Sequence, residues 1–521
     1  MSEQPSRTII YGAEAQDKLL NGVKTLYEAV KTTLGPKGRN ALIEQHRGSL
    51  PHITKDGVTV AANIYLDDKL ENLGAQTVSS VSKKTASDAG DGTTTATVLA
   101  YEIFKEGLSF VKQGQNPMFL KEELINTSKT VVKYLSGISN QISNKDQLKN
   151  IATISANGDT ELGDLTSEAV YSVGESGDVI VEPSDTSVTT LEIQKGFRID
   201  AGLVSPYFIT TTSKASAEFS DARVLLINAK VDNLTPILKP LEQGLKDQVP
   251  IVIVAQEFND ALIKMFIDNK LKNGLKIACV KLPFVGEERS DLLDDLAVAL
   301  NTKVFLANEE QIEFDQLGYS DTFVSNKVRT SFSIKNSESV STRINTLNGQ
   351  LDAETQTESK DYIKKRISRL NGNIAVIKVG GSTSTEVKER KDRIDDAIGA
   401  TKAALAEGFV AGGGLALYHA SLNIEEKTNG DVVLKRAIQM PLKTILDNAG
   451  YSFDSVQKQY SSSNINQGLD IRTGETVDML AKGITDPVKV TRVAVENAVS
   501  VASLLLTTGV LIGINREENQ E

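Results

Sequence analysis

Four short apolar runs near the middle of the chain place the strongest constraint on its fold. They cover residues 224–227, 251–254, 277–280 and 304–306, and stretches with helical spacing separate them. Strands that alternate with helices are typical of a largely parallel sheet, because each crossover helix returns the chain to the same end of the sheet. We therefore predict an α/β segment from about residue 223 to 307. No G-x-G-x-x-G follows the first run, so the sequence does not support a dinucleotide site there.

The two ends of the chain are predicted to be mainly helical. Apolar residues repeat at spacings of three and four between residues 15 and 30, which indicates a helix with one apolar face. The other predicted elements are strands at 40–43, 52–54 and 374–379, helices from about 73 to 89 and from 93 onwards, a charged helix from about 386 to 408, and further helices over the last hundred residues. One economical arrangement folds the two helical ends together as one domain and inserts the mixed middle into it.

Charge and composition argue against several function classes. The 521 residues carry a formal net charge of −11, so nothing electrostatic draws the chain to nucleic acid. The single cysteine, Cys279, stands in an apolar run and is predicted to be a small buried side chain rather than a nucleophile. The histidines His46, His52 and His419 match no zinc-ligand spacing. The sequence has neither a signal peptide nor a long apolar run, so we predict a cytoplasmic protein with no membrane span.

Residues 90–95, Gly-Asp-Gly-Thr-Thr-Thr, lie between two predicted helices and carry the strongest chemical signal. Two glycines let the backbone turn tightly, and the threonines open the next helix, where free N–H groups and the helix dipole favour an anion. Asp91 places a carboxylate beside that anion, and a phosphate with a carboxylate suits Mg²⁺. The alternative is a capped helix with no ligand, for which one threonine would be enough. We favour a phosphate site with Mg²⁺.

Three further segments are weaker signals, at residues 34–38, 54–57 and 410–414. The first two would also pass as surface turns, and the third would pass as a flexible hinge before an apolar helix. The chain has no P-loop sequence and none of the kinase signatures. A nucleotide bound here would therefore need a different scaffold.

Taken in their order and spacing, these motifs resemble the group I chaperonins, the GroEL-like proteins. The matching segments run from about Ile10 to Ile512, and they are residues 33–40, 53–58, 90–95, 153–157, 203–208, 411–414 and 486–492. The resemblance implies a multidomain subunit of α+β and α/β parts. Its domains would be a mostly helical equatorial ATP-binding domain (1–136 and 408–521), a small intermediate hinge domain (137–194 and 374–407) and an α/β apical substrate-binding domain (195–373). It also implies a homo-oligomer of seven-subunit rings, with one or two rings.

The resemblance implies ATP hydrolysis with Mg²⁺, and it leaves a role for K⁺ open. Carried over position by position, it assigns nucleotide binding to Thr33, Leu34, Gly35, Pro36, Lys55, Asp91, Gly92, Thr93, Thr94, Thr95, Gly413, Asp470, Ile484 and Asp486. Asp91 would also be the Mg²⁺ ligand, and Asp396 and Asp56 would be the catalytic carboxylates. Without the resemblance, Asp396 would be one more charge on a solvated helix face. Asp470 departs from the family, which has Asn or a similar residue there.

The resemblance places the binding of unfolded proteins on apolar positions of the apical domain. These positions are Leu203, Tyr207, Phe208, Leu238, Leu241, Leu262, Phe266 and Ile267. Exposed apolar side chains of this kind bind the apolar surface of other proteins. In the family the same surface also binds a GroES-like co-chaperonin. The alternative is that these residues form a core, and the sequence alone does not decide between the two.

Four positions depart from the family's pattern. Ala201 stands where an Arg makes an intersubunit ion pair, and Asn373 replaces a hinge glycine. Lys443 and Ser452 stand where an Arg–Glu pair joins two rings. An exposed pair contributes only about 0–1 kcal/mol, but a ring repeats it at every subunit. We therefore predict weaker double-ring assembly than is usual in the family.

Two other functions fit part of the sequence. A scaffold ring that binds ATP without folding proteins would need the phosphate motif but no apolar apical positions. A metabolic phosphotransferase would need a small-substrate pocket with a Lys or Arg clamp in a known motif, and the sequence has none. The leading prediction is an ATP-driven chaperonin that encloses unfolded proteins.

Overall fold

The computed structural model of the chain describes residues 7–44, 51–174, 177–184, 186–211, 215–282, 284–306, 311–334, 337–354, 356–457 and 464–514. The chain divides into two compact units. Unit 1 comprises Met1–Glu175, Val181–Thr190 and Lys378–Glu521, and unit 2 comprises Ser176–Ile180 and Leu191–Ile377. Unit 2 thus covers nearly the segment predicted as apical, and the three-domain boundaries stay a prediction.

The described elements follow one another in this order. The first part of unit 1 contains β1 (Arg7–Tyr11), α1 (Gly12–Lys31), β2 (Ala41–Ile43), β3 (His52–Thr54), α2 (Gly57–Ala62), α3 (Lys69–Ala89), α4 (Thr93–Lys112), α5 (Pro117–Gly137), α6 (Lys145–Ser155) and α7 (Thr160–Val173). There follow β4 (Asp178–Pro183), β5 (Thr190–Ile199), β6 (Ala217–Val231), α8 (Leu238–Asp247), β7 (Ile251–Phe258), α9 (Asp260–Asn273), β8 (Ile277–Lys281), α10 (Gly286–Leu300), β9 (Val304–Phe305), β10 (Gly318–Ser325), β11 (Thr330–Ser333), α11 (Ser337–Ala353), α12 (Thr357–Leu370) and β12 (Gly372–Val379). The remainder of unit 1 contains α13 (Ser384–Glu407), β13 (Phe409–Ala411), α14 (Leu415–Leu422), α15 (Asn429–Ala437), α16 (Met440–Asn448), α17 (Phe453–Val456), β14 (Gln467–Asp470), β15 (Glu475–Asp478), β16 (Thr485–Pro487), α18 (Val488–Leu506) and β17 (Val510–Ile514).

The two ends of the chain share one core in unit 1. Strand β1 pairs antiparallel with β17, from Arg7 opposite Ile514 to Tyr11 opposite Val510. Side chains of α1, α3, α4, α5, α14, α15 and α18 form the core, and the apolar face predicted for α1 lies in it. Burial of this face, rather than helix propensity, stabilises a helix of this length. The expected joining of the helical ends is therefore seen in the structure.

One part of the C-terminal prediction is wrong. Residues 467–470, 475–478 and 485–487 form the short strands β14, β15 and β16 rather than helix. Strands of three or four residues are too short to show an alternating pattern, and β16 exists because it pairs with β13, which lies far away in sequence. Residues of β14 and β16 line the cavity described below.

Unit 2 is built on a mixed sheet. In the described chain the sheet has nine strands in the order β4-β12-β5-β11-β10-β6-β7-β8, and β9 pairs with β6. Strand β6 runs parallel to β7 and β9, and β7 runs parallel to β8, as the alternation of strands and helices predicted. Strands β10 and β11 add antiparallel pairs to the sheet.

Both faces of the parallel strands are covered, which explains their uninterrupted apolar sequences. Val224 and Leu226 point into a core with α10, α11 and α12, whereas Leu225 and Ile227 point into a second core with α8 and α9. Cys279 lies fully buried in the second core, as predicted. Burial raises the pKa of its thiol, so that it stays protonated.

A buried ion-pair network holds the helices of unit 2 together. Asp295 on α10 accepts hydrogen bonds from Arg366 Nε at 2.8 Å, from Arg366 Nη2 at 2.9 Å and from Arg343 Nε at 2.7 Å. The Asp295 side chain is only 2% exposed. Arg366 also pairs with Asp291 at 2.8 Å. The network therefore joins α10 to α11 and α12.

The substitution Asp295→Ala is expected to destabilise unit 2 by about 3–5 kcal/mol, because it removes the main partner of a buried guanidinium. Asp294→Ala is the matched control, since the neighbouring Asp294 is exposed, and it should change stability by less than about 0.5 kcal/mol. Hydrogen exchange of the β7 and β8 amides measures the stability of unit 2 in both variants. Equal opening free energies in the two variants would contradict the role given to the network.

Candidate functional site

A single cavity of about 420 Å³ in unit 1 brings the predicted nucleotide residues together. Its lining includes every residue predicted for nucleotide, metal or catalysis, namely Thr33, Leu34, Gly35, Pro36, Lys55, Asp56, Asp91, Gly92, Thr93, Thr94, Thr95, Asp396, Gly413, Asp470, Ile484 and Asp486. These residues come from segments far apart in the chain. A cavity of this size accommodates a nucleotide-sized ligand.

The turn between α3 and α4 forms the floor of the cavity. Gly90 and Gly92 have φ angles of 77° and 83°, a left-handed conformation that favours glycine. No side chain caps the start of α4 at Gly92. Thr93, Thr94 and Thr95 line the cavity, so the uncapped start of α4 lies at it, and a helix N-terminus favours an anion there.

Asp91 lies between the two glycines with both carboxylate oxygens held in place. Its Oδ1 accepts a hydrogen bond from Gly92 N at 2.5 Å, and its Oδ2 accepts one from Ser155 Oγ at 3.0 Å. Burial raises the pKa of the Asp91 carboxyl, and the nearby charge of Asp56 raises it further. A bound cation would relieve both effects, so the site favours positive charge beside the helix N-terminus.

A second wall is formed by the loops after α1 and β3. Lys55 Nζ donates to the Gly35 carbonyl at 2.9 Å, which ties the two loops together, and Thr33 Oγ1 lies 3.4 Å from Thr94 Oγ1. Asp56 caps α2 through bonds from Val58 N at 3.0 Å and Thr59 N at 2.9 Å. These contacts fix the loops against α4 and leave their remaining polar groups at the cavity.

The opposite wall is the pairing of β13 with β16. Val410 lies opposite Asp486, and the glycine loop after β13 closes over it. A Cβ atom on Gly412 would lie 2.9 Å from the backbone carbonyl carbon of Thr485 and 3.0 Å from Asp486 Oδ1, so a side chain here would collide with β16. Gly414 N donates to Asp486 Oδ2 at 3.5 Å. Burial raises the pKa of Asp486 to about 6.

Asp470 lies at the edge of the cavity, and its carboxylate forms part of the turn after β14. Asp470 ends β14, where its Oδ1 accepts from Arg472 N at 2.9 Å and its carbonyl accepts from Gly474 N at 2.7 Å. Its carboxylate thus shapes the β14–β15 turn at the edge of the cavity. Ile484 also lines the cavity, and its carbonyl accepts from Gly412 N at 3.0 Å.

Helix α13 brings carboxylates to the cavity from the other side. Asp396 lines the cavity, and burial, followed by the charge of Asp91, raises its pKa well above the ordinary range. Asp392 lies one turn earlier on the same helix, and burial together with the charges of Asp56 and Asp395 raises its pKa to about 7. Burial is the main cause of both shifts and the neighbouring carboxylates add to it, so this face of α13 disfavours further negative charge.

The side chains at the cavity suit Mg²⁺ only if phosphate oxygens supply its other ligands. Across the described residues, no three histidine, cysteine or carboxylate side chains come close enough together to hold a metal ion by themselves. Mg²⁺ is commonly bound by one or two carboxylates together with phosphate oxygens and water. Asp91, fixed beside the start of α4, provides one such ligand. Of the three histidines, His52 and His419 are buried and form no metal site, and His46 lies outside the described residues.

Comparison with known proteins identifies the family. The family model described as the TCP-1/cpn60 chaperonin family matches residues 26–513. The chain belongs to this chaperonin family. Two solved structures of the chaperonin gp146 from bacteriophage EL 2 (Pseudomonas aeruginosa), both in the presence of ATP-BeFx, share its fold. They are 22% and 21% identical, with TM-scores of 0.66 and 0.62, and each alignment covers 98% of this chain and 99% of the other.

Sequence reasoning did not assign several residues that line the cavity of this chaperonin. They include Asn150, Ser155, Glu389, Asp392, Arg393 and Arg472. Asp392 could have been found from its spacing, because residues four apart lie on one face of a helix. Ser155 stands within a segment that carried the family resemblance, but its bond to Asp91 joins residues 64 apart in the chain. No local pattern predicts such a bond.

The predicted client-binding positions of unit 2 divide into exposed and buried residues. Tyr207 and Leu238 are 66% and 40% exposed, and Leu203, Leu262 and Ile267 are half-buried. The prediction that Phe208, Leu241 and Phe266 are also exposed is wrong, because all three lie in the core beneath α8 and α9. Leu238 and Leu241 are three residues apart on α8, and the packing of α8 against the sheet buries Leu241. Lys270 Nζ supports the exposed Tyr207 by donating to its carbonyl at 2.9 Å.

The positions that depart from the chaperonin pattern have local roles in this structure. The carbonyl of buried Ala201 accepts from Thr330 Oγ1 at 2.7 Å, and Asn373 Oδ1 lies 3.4 Å from Lys195 Nζ. Lys443 Nζ lies 4.9 Å from the centre of the Phe453 ring, and Ser452 precedes α17. Weaker double-ring assembly stays a prediction.

Across the described ranges, every helix falls short of the length and apolarity that crossing a bilayer requires.

The carboxylate cluster predicts an unusual pH dependence in the absence of divalent cations. Asp392 has a folded-state pKa of about 7 against an ordinary value of 3.8. The folded chain therefore binds more protons than the unfolded chain between these values, and its stability falls as the pH rises through this window. Asp392→Asn should raise the thermal unfolding midpoint at pH 8 by roughly 1–3 °C. The gain should be smaller at pH 5, which lies within the same window, and should vanish only below the ordinary pKa of 3.8.

Asp88→Asn is the matched control for this measurement, because Asp88 is exposed near the end of α3. Thermal unfolding at both pH values in the presence of a chelator measures the effect. A shift of the same size at pH 5 and pH 8 would show that Asp392 carries no destabilising charge.

Proposed function

We propose that this chain is an ATP-hydrolysing subunit of a chaperonin ring that binds unfolded proteins and encloses them for folding. The observation that carries the proposal is the convergence of its predicted nucleotide residues on one cavity, with the open N-terminus of α4 on one side and Asp396 on the other. Membership of the chaperonin family and the presence of ATP-BeFx with the related gp146 support the same reading.

The reaction is the transfer of the γ-phosphoryl group of ATP to water, which yields ADP and phosphate. Such transfer depends on positioning and charge control rather than on covalent catalysis by the protein. The start of α4 and Lys55 would hold the phosphates, while Asp486 and the loop at Gly413 would hold the ribose. Mg²⁺, when bound through Asp91, would neutralise phosphate charge.

Asp396 is proposed to orient the attacking water and to accept its proton. The raised pKa of its carboxyl suits a proton acceptor once the surrounding charges are balanced. Asp56 is proposed to help to orient the same water. Its two oxygens already accept bonds from the start of α2, which fixes the direction of its carboxylate.

The client surface is proposed to consist of the apolar side chains of unit 2 that solvent reaches. Among the positions predicted to bind clients, Tyr207 and Leu238 are the most exposed, and Leu203, Leu262 and Ile267 are reached in part. An apolar surface binds unfolded chains because they expose apolar side chains that a native protein buries. A seven-subunit ring, in one or two layers, and a GroES-like co-chaperonin are proposed as partners, K⁺ as a further cofactor, and the cytoplasm as the location.

A scaffold ring that binds ATP without folding proteins is the second candidate. It would explain the cavity equally well, but it gives no reason for two large apolar side chains on the surface of unit 2 to stay exposed. A metabolic phosphotransferase would need a site for a second small substrate beside the phosphates. The acidic lining contributed by Asp392 and Asp396 favours water and a cation there instead.

Phosphate release by the purified chain tests the proposed ATPase. We expect hydrolysis that requires Mg²⁺, that no added small-molecule acceptor accelerates, and that occurs in a particle whose mass is a multiple of seven chains. Acceleration by a phosphate acceptor would favour a phosphotransferase. Release of phosphate that does not depend on Mg²⁺ would contradict the site as proposed.

A further inference from the structure

One face of α13 carries both the carboxylates and the contact that places them. Asp392, Asp396, Gly399 and Ala403 follow one another at intervals of four, three and four residues, which puts all four on one side of the helix. The first two line the cavity. Ala403 packs in an apolar cluster with Ala89, Val490 and Val493, so the later part of this face lies on α3 and α18.

Gly399 lies directly against the turn that forms the phosphate cradle. A Cβ atom on Gly399 would be 2.5 Å from the carbonyl oxygen of Gly90 and 2.6 Å from its Cα atom. The contact is reciprocal, because a Cβ atom on Gly90 would be 2.5 Å from the Cα atom of Gly399. Both neighbours are backbone atoms, which cannot rotate away as the end of a side chain can. The two backbones touch only because neither residue has a side chain.

The contact lies between the two halves of the site. Gly90 precedes Asp91 and is two residues from Gly92, where the open end of α4 begins. Gly399 follows Asp396 by three residues, almost one helical turn. Any widening between Gly399 and Gly90 therefore moves the Asp396 carboxylate away from the helix N-terminus and from Asp91.

The other end of α13 is anchored separately. Arg492 Nε donates to Glu407 Oε2 at 2.9 Å, and Ser139 Oγ donates to the Glu407 carbonyl at 2.7 Å. With Glu407 fixed, a push at Gly399 tilts the helix, and the displacement grows towards Asp396 and Asp392. The anchor thus converts a small change at Gly399 into a larger one at the carboxylates.

We infer that Gly399 is a positioning residue for hydrolysis, because the missing side chain seats α13 on Gly90 and thereby sets the distance of Asp396 from the phosphate cradle. The inference rests on the ATPase activity proposed above. It assigns to Gly399 no contact with nucleotide or with water. Its effect passes through Asp396, so it should alter the rate of hydrolysis rather than the binding of ATP.

The test is Gly399→Ala, with Gly349→Ala as the matched control. Gly349 is also a glycine within a helix, α11, but a Cβ atom added there meets nothing within 4 Å. Both substitutions introduce the better helix former. We expect kcat for ATP hydrolysis to fall by about ten- to hundredfold in Gly399→Ala, since a displacement of about 1 Å costs that much, with little change in the Kd of ATP. Gly349→Ala should leave both unchanged.

Unchanged kcat in Gly399→Ala would overturn the inference. So would a loss of ATP binding and of thermal stability in step with kcat, since that outcome would indicate a general structural defect. Hydrogen exchange of the wild-type chain provides a readout independent of hydrolysis. A non-hydrolysable ATP analogue should increase the protection of residues 90–92 and 396–400 together, and protection of the first segment alone would also overturn the inference. Absence of hydrolysis in the wild type would instead contradict the proposed function.

Discussion

Asp396→Ala is expected to lower the rate of ATP hydrolysis by about 10²–10⁴-fold, the range attributed to a positioned general base. ATP should still bind, because the groups proposed to hold the phosphates and the ribose are on α4, the loops after α1 and β3, and β16. The variant should also be at least as stable as the wild type without nucleotide. Its carboxyl is buried and is repelled by Asp91, so its removal relieves an unfavourable interaction.

Asp88→Ala is the control for this substitution, because it removes an exposed carboxylate near the same turn. Steady-state phosphate release gives the rate, and equilibrium titration with a fluorescent ATP analogue gives the affinity. Unchanged turnover in Asp396→Ala would refute the role of this residue. A parallel loss of affinity and stability would mean that Asp396 holds the site together rather than acting in hydrolysis.

Asp91→Asn is expected to have the second large effect. The amide keeps the size of the side chain and can still accept from Gly92 N or Ser155 Oγ, but it removes the charge proposed to hold Mg²⁺. Loss of a charged contact that stabilises the reacting phosphates typically lowers the rate by about 10²–10³-fold. The concentration of Mg²⁺ needed for half-maximal hydrolysis should rise as well. Without nucleotide the variant should unfold at a higher temperature, since a buried charge has been removed.

Rates measured over a range of Mg²⁺ concentrations separate the two possible results. A lower rate that excess Mg²⁺ partly restores supports Asp91 as a metal ligand. A lower rate with an unaltered Mg²⁺ dependence would contradict that assignment and would leave Asp91 as a residue that shapes the turn. Ser155→Ala is a useful companion, because it removes one bond to Asp91 and leaves the charge in place.

The sequence predicted the parts of this structure that local rules determine. The glycines at 90 and 92 adopt positive φ angles that few other residues tolerate, so the motif Gly-Asp-Gly-Thr-Thr-Thr already specified a tight turn and an open helix N-terminus. The parallel strands of unit 2 were predictable because a sheet buried on both faces needs uninterrupted apolar strands. The charged helix predicted for residues 386–408 is α13, which spans Ser384–Glu407.

Long-range contacts were beyond the reach of local patterns. The pairings of β1 with β17 and of β13 with β16 join distant segments of the chain, and the short strands show no alternation of their own. The burial of Phe208, Leu241 and Phe266 depends on which way α8 and α9 face the sheet. Asp396 was assigned from the family resemblance, because on the helix alone it is one of several carboxylates. The backbone contact between Gly399 of α13 and Gly90 can be seen only in the three-dimensional structure.

Recovery of a chemically denatured test enzyme is the most direct test of the central claim that this chain uses ATP to fold proteins. The enzyme should be one that aggregates when diluted alone, and its activity should be followed with and without ATP and Mg²⁺. We expect the wild-type chain to hold the enzyme soluble without nucleotide and to return active enzyme once ATP is added, with a co-chaperonin supplied in parallel samples. Asp91→Asn should hold the enzyme without returning it. No recovery with ATP in any sample, or the same recovery without nucleotide, would contradict the account.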